Sequence, residues 1–202
     1  RAMSDSMRSQ AIVAPAAGDW IRLGHEEGIG DVVAEVLPRR TAIVRRDPAE
    51  DVVEQVLVTN VDVVGVVAAV DRPRNVARLE RFLVLAADSG AEPVIVLTKV
   101  DLGLDDQWRE LGALVPDVPV LHTSAVTGIG IDDVAALIAE DRTLVLLGES
   151  GSGKSSLVNT LVGEDVQATK EVRAGDAKGR HTTTARELVV IPGGGVLIDT
   201  PG

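Results

Sequence analysis

Eight residues near the C-terminal end of the 202-residue chain constrain its fold more than any others. Gly148-Glu149-Ser150-Gly151-Ser152-Gly153-Lys154-Ser155 satisfies the pattern G-x-x-x-x-G-K-[ST] at every fixed position. An apolar run at 143–147 precedes it and a helix-forming run at 154–161 follows, the context such a loop requires. The glycines let successive backbone N–H groups curl around an anion. Lys154 is expected to reach the β- and γ-phosphates of a nucleotide, and the Ser155 hydroxyl to ligate Mg²⁺; Ser156 follows in the same nucleotide-binding set. The helix N-terminus adds partial positive charge. A loop of this kind needs a strand before it and a helix after it, which points to an α/β fold.

The preceding residues repeat that texture. Residues 61–70 form a continuous apolar run, as in a strand buried on both faces. Residues 75–89 carry helical spacing through Val76, Leu79, Leu83 and Ala86, with Gly90 as the stop. Further strands are expected at 93–97, 118–121 and 144–147, and helices at 105–114, 131–139 and 154–161. A hairpin is expected at 188–191 and 196–198, around Pro192-Gly193-Gly194-Gly195. Strands alternating with helices imply a three-layer, mostly parallel sheet.

The base is addressed by two other segments. Thr98-Lys99-Val100-Asp101, at the end of a buried strand, reads as [NT]KxD. There Asp101 would accept hydrogen bonds from the guanine N1–H and 2-amino group. Adenine lacks both donors and would leave the carboxylate unpaired. Lys99 would lay its stem along the base, and Thr98 stands where Asn is more usual. Ser124-Ala125 ends the next strand and suits a backbone N–H to the guanine carbonyl oxygen. Asp199-Thr200-Pro201-Gly202 reads as DxxG, with Asp199 reaching Mg²⁺ through a water and the Gly202 N–H at the γ-phosphate. The polar loop 163–186 holds Gly179-Arg180-His181-Thr182-Thr183-Thr184, where a first switch is expected and Thr183 would complete the Mg²⁺ shell. The order runs guanine motif, Ser-Ala, phosphate loop, switch, DxxG, which is a circular permutation of the usual GTPase order. It predicts the spatial strand order 186–191, 195–199, 143–147, 61–70, 93–98, 118–122, with nucleotide across the C-terminal edge.

Composition limits the rest. No cysteine is present, so disulfides and Cys-ligated zinc are excluded from this chain. A net charge of −11 argues against a generic nucleic-acid binder. A local cluster remains in Arg39, Arg40, Arg45 and Arg46, on a β-rich segment where phosphate contacts to RNA are expected. No apolar run approaches the ~20 residues of a membrane helix and no signal peptide is evident, so a cytoplasmic protein without membrane contact is expected. The expected organisation is an irregular or disordered segment at 1–17, a partial β domain at 18–47, a connector at 48–60 and the nucleotide-binding domain at 61–202. A monomer is expected.

The chain resembles the ribosome small-subunit-dependent GTPases, the RsgA or YjeQ family. The resemblance rests on the permuted order, Gly18-Asp19-Trp20 with Leu37-Pro38-Arg39-Arg40, Thr98-Lys99-Val100-Asp101, and Gly179-Arg180-His181-Thr182-Thr183-Thr184. It implies an OB-fold (partial here), a permuted GTPase domain, and a C-terminal zinc domain, so Zn²⁺ belongs only to a longer protein of which this chain is expected to be part. It implies GTP/GDP with Mg²⁺, the small ribosomal subunit and its rRNA as partners, and late maturation of that subunit. It also points to His181 as the water-positioning group, acting with Lys154 in catalysis. The alternatives are a permuted GTPase on another RNA particle, a nucleotide-gated binding module with negligible hydrolysis, and a P-loop ATPase.

Overall fold

The computed structural model describes residues 14–46, 54–139, 141–163 and 187–199. Strand β1 (Ile21–Glu26) pairs antiparallel with β2 (Gly30–Val36), with a register shift at Arg22/Leu23. Much of the apolar surface of this hairpin is open, with Leu23 and Ile29 exposed and Trp20, just before β1, 69% exposed. Strand β3 (Ala42–Arg46) does not extend the hairpin. It pairs antiparallel with β4 (Glu54–Thr59), which occupies the second half of the segment expected as a connector. The reason lies in burial. Ile43 and Val58 are fully enclosed in the apolar cluster that also holds Leu79 and Ala86 of helix α1 (Val76–Ser89). Enclosing those side chains outweighs the polar residues that lead into β4. The ribbons meet at a bridge between Ala17 and Val58.

A polar anchor locks this junction. The Asp19 side chain is 1% exposed. It accepts from Arg39 Nε (2.8 Å) and Nη2 (2.7 Å), from the Thr59 hydroxyl (2.8 Å) and from the Ala16 N–H (2.8 Å). The Asn60 amide donates to the Gly18 carbonyl at 2.9 Å and accepts from the Arg40 N–H at 2.9 Å. Gly18 has φ of 92°, and a Cβ there would run into the Thr59 carbonyl. The motif Gly18-Asp19 is thus explained by backbone approach and a buried charge. The Arg39 guanidinium, helped by the Ala16 and Thr59 donors and opposed by burial, holds the Asp19 carboxyl at about 2.

Beyond this junction the chain builds a six-stranded sheet from β5 (Val63–Ala69), β6 (Glu92–Thr98), β7 (Val120–His122), β8 (Thr143–Gly148), β9 (Glu187–Val190) and β10 (Val196–Asp199). Its order is β7-β6-β5-β8-β10-β9, as the permutation predicts, and every pair is parallel except β9–β10. Helix α1 begins on an Asn75 cap, whose side chain accepts from the Arg78 N–H, and ends at left-handed Gly90. The helix expected at 105–114 is two short ones, α2 (Asp106–Arg109) and α3 (Leu111–Leu114). Trp108 and Leu111 are their buried residues, and Gly112 weakens the second. Helix α4 (Ile131–Ala136) stops three residues early, although Ile138 is still fully buried. Helix α5 (Lys154–Val162) follows β8. Leu79, Ala86, Trp108 and Leu111 belong to one core cluster and Val134, Ile138, Leu157 and Leu161 to a second, which completes the three layers. Among the described residues no helix is long and apolar enough to cross a membrane.

Replacing Asp19 by alanine leaves the Arg39 guanidinium inside without its anion. A loss of about 3 kcal/mol is expected, read as a lowered melting temperature at neutral pH. Because the Asp19 carboxyl is depressed in the folded state, its contribution is complete above the ordinary carboxylate value of about 4. It fades as pH falls toward about 2. The gap between wild type and Asp19→Ala should close across that window.

Candidate nucleotide-binding site

Strand β5 lies between β8 and β6, with Val67 opposite Gly148 and Ala69 opposite Thr98. The two motif-bearing loops therefore leave the same edge of the sheet, one on each side of β5. Gly153, at φ of 92°, is the N-cap of α5, and Lys154 opens the helix. The Lys154 side chain is buried and its Nζ donates to the carbonyls of Gly148 (2.7 Å) and Glu149 (2.9 Å). Burial pushes its pKa down, while the charges of Asp199 and Glu149 oppose that shift. Ser155 and Ser156 are exposed in the first turn of α5. Asp199 ends β10 opposite Leu146.

The base-side motif is bonded directly to the phosphate loop. The Thr98 hydroxyl donates to the Ser152 carbonyl at 2.6 Å, fully enclosed. Lys99 adopts a left-handed backbone, φ 62°, which is costly for a residue with a Cβ. That turn lets Nζ donate to the Asp71 carboxylate (2.7 Å) and the Gly151 carbonyl (3.3 Å). Asp101 stands exposed in a single 3₁₀ turn, Val100–Leu102. The Val100 N–H donates to Thr123, which places this turn beside Ser124. Ser124 is buried and its hydroxyl accepts from the N–H groups of Val126 and Thr127, shaping the bend that carries Ala125.

Thr98, Lys99, Asp101, Ser124, Ala125, the loop 148–156 and Asp199 thus gather at one edge of the sheet. His181, Thr183 and Gly202 lie outside the described residues. The arginine cluster sits elsewhere, on the β ribbons. Arg39 is turned inward onto Asp19, Arg40 is largely exposed beside Asp62 (3.3 Å), Arg45 is exposed, and Arg46 ends β3. Among the described residues no group of three or more His, Cys, Asp or Glu side chains could hold a metal ion. Sequence reading missed Asp71, Arg72 and Arg78, which surround the phosphate loop. Arg72 Nη1 donates to the Ser150 carbonyl (2.9 Å), and Arg78 pairs with Glu149 (2.7 Å). Their signal was positional, since Asp71-Arg72 follows the strand between the two motif-bearing strands.

Strand order, loop and base motif define a P-loop GTPase domain whose strands follow one another in permuted order. Residues 36–202 match the RsgA GTPase family, and the chain belongs to it. The small ribosomal subunit biogenesis GTPase RsgA of Streptomyces avermitilis is 46% identical over 192 residues, covering 92% of this chain and 51% of that protein. The protein of the same name from Methanosarcina acetivorans is 41% identical, covering 93% and 52%. Among solved structures, YjeQ from Thermotoga maritima superposes with a TM-score of 0.65 at 30% identity, over 94% of this chain and 62% of that one. YloQ, described as a circularly permuted GTPase, gives 0.62 at 26% identity, over 96% and 59%. The chain spans about half the length of the curated relatives it matches.

Removing the Thr98 hydroxyl as Thr98→Val strips the Ser152 carbonyl of its enclosed donor. At about 1 kcal/mol for such a bond, guanine-nucleotide affinity should fall about five-fold. Thr98→Ser should retain it. Titration with a fluorescent guanosine diphosphate checks both.

Proposed function

We propose that the chain is the nucleotide-binding portion of a GTP-hydrolysing factor that acts in late maturation of the small ribosomal subunit. One observation carries the reading most directly. Thr98 and Lys99 bond to consecutive carbonyls of the phosphate loop, while Asp101 of the same motif stays free toward solvent. A guanine held by Asp101 is then in fixed register with phosphates held by residues 148–154. The ribosomal part comes from the relatives, which carry that role in their names.

In this reading the Lys154 ammonium exchanges two neutral carbonyls for phosphate oxygens, a gain in charge-assisted bonding. The N–H groups of Gly151, Gly153, Lys154 and Ser155 line the phosphates, while that of Ser152 bonds the Glu149 carbonyl. Ser155 and Asp199 offer the hard oxygen donors that suit Mg²⁺, with Thr183 as a further ligand. When bound, Mg²⁺ neutralises charge on the β- and γ-phosphates. The Gly202 N–H senses the γ-phosphate, and His181 orients the attacking water. Turnover is slow until the subunit completes the site. The hairpin β1–β2 and strand β3 belong to a partial OB-fold-like β domain at 18–47, whose second ribbon is closed by β4 from the 48–60 segment, and the GTPase domain follows at 61–202. Arg40, Arg45 and Arg46 contact rRNA phosphates, and Arg39 supports them from its bond to Asp19. The protein works in the cytoplasm as a monomer, and any Zn²⁺ belongs to a C-terminal domain of the longer protein.

The test is GTP turnover by the longer protein alone, with small subunits and with large subunits, at fixed salt. Stimulation by small subunits alone is expected, and His181→Ala should remove that stimulation while leaving GTP bound. Turnover unmoved by either particle would overturn the ribosomal role. Asp101→Asn should lower GDP affinity about a hundred-fold, through two bonds to a charged group, and should favour xanthosine diphosphate, whose 2-oxo group can accept from the new amide. Competition binding reads this exchange.

A further inference from the structure

We infer that Arg72, which no nucleotide motif includes, is a positioning residue that holds the phosphate loop in its anion-binding shape; the inference rests on the nucleotide-site reading above. Five consecutive carbonyls of the loop each accept a side-chain donor. Lys154 serves Gly148 and Glu149, Arg72 serves Ser150, Lys99 serves Gly151 and Thr98 serves Ser152. In a trans peptide the carbonyl and the following N–H point in opposite directions. The Ser150 and Ser152 carbonyls, held by Arg72 and Thr98, therefore turn the Gly151 and Gly153 N–H groups away from those side chains and toward the place a phosphate would take, while the Ser152 N–H bonds the Glu149 carbonyl at 3.1 Å. Lys154 has to release its two carbonyls to reach a phosphate. Arg72, Lys99 and Thr98 remain.

Arg72 is built into this place. Gly151 has φ of 75°, and a Cβ on it would stand 2.5 Å from Arg72 Nη2, so the guanidinium lies against the bare backbone of the loop. Beside it, Arg78 fixes the Glu149 side chain at 2.7 Å. The loop carrying Arg72 is held from the base side. Trp108 Nε1 donates to the Arg72 carbonyl at 3.3 Å. The Arg74 N–H donates to Gln107 Oε1 at 3.1 Å, and the Arg74 guanidinium donates to the Gln107 carbonyl. Asp71 binds Lys99. Residues 71–78 thus bridge the helix after the guanine motif and the outside of the phosphate loop. A cation on the Ser150 carbonyl also polarises that peptide, which makes the Gly151 N–H a stronger donor.

The consequence is selective. Arg72 supports contacts to phosphates beyond the first and leaves base recognition alone. The experiment measures GDP and GMP affinities by calorimetry for wild type, Arg72→Met, Arg72→Ala and Arg72→Lys, with melting temperatures alongside. Methionine fills the space without a donor, so it carries the test if the alanine variant fails to fold. The expected result for Met and Ala is about a ten-fold loss of GDP affinity, the size of one bond to a charged group. GMP should change less than about two-fold, and lysine should restore part of the loss. GDP binding unaltered in Arg72→Met, or equal losses of GDP and GMP, would overturn the inference while leaving the nucleotide site intact. Wild-type protein that binds neither nucleotide would overturn the site reading and the inference with it.

Discussion

Strand β5 sets the distance between the two halves of the candidate nucleotide site. It is hydrogen-bonded to β8 on one side and to β6 on the other, so the start of the phosphate loop and the start of the guanine motif are spaced by two strand separations. Val63, Val64, Val66 and Val67 are enclosed, two in each of the packed clusters. Burial on both faces fixes the register, because a one-residue slip would exchange the side chains of the two layers. The bonds from Thr98 and Lys99 to the phosphate loop require that register to hold. This also explains why permuting the chain order leaves the site intact. The strands are cut and rejoined at loops, and no ladder between β8, β5 and β6 is altered.

The β ribbons show a different economy. Their attachment to the core is part apolar, through Ile43 and Val58, and part ionic, through Asp19 and Arg39. The ionic part supplies direction. A bidentate guanidinium–carboxylate pair is satisfied in one geometry only, and Asn60 adds two backbone bonds beside it. The hairpin β1–β2 is held at this end, while Trp20, Leu23 and Ile29 remain exposed.

Much of the fold was legible because its signals are periodic or punctuated. The central strands are continuous apolar runs, α1 has an Asn cap and a Gly stop, and the motif order alone dictated the sheet order that is found. Strand β4 was hidden because its apolar residues directly follow a polar, proline-containing stretch, and its state is decided by pairing with β3 and by the enclosure of Val58. The split between α2 and α3 was hidden because a few apolar positions at helical spacing cannot distinguish one helix from two short ones. In the site, Thr98, Lys99, Asp101 and the phosphate loop were legible as motifs. Arg39 was read as one of four surface arginines, because its partner Asp19 lies twenty residues away in sequence. Arg72 had no motif to announce it, since its role consists of a single bond to a backbone carbonyl that is near only after folding.

Charge explains how an acidic protein can accept a polyphosphate. Around the phosphate loop, Arg72, Arg78, Lys99 and Lys154 face Asp71, Glu149 and Asp199, so the described charges there are nearly balanced against a background of −11 for the chain. Each cation is engaged with backbone carbonyls or carboxylates in the described arrangement. A diphosphate or triphosphate therefore does not meet a strong positive field. It meets backbone N–H groups and one lysine that is exchangeable, already partly desolvated and pushed toward its neutral form by burial. A phosphate beside Lys154 would oppose that shift, as any neighbouring anion does, and favour the ammonium. Arg72, Arg78 and Lys99 are already engaged with a loop carbonyl or a carboxylate, so of these four cations only Lys154 is exchangeable for a nucleotide's charge.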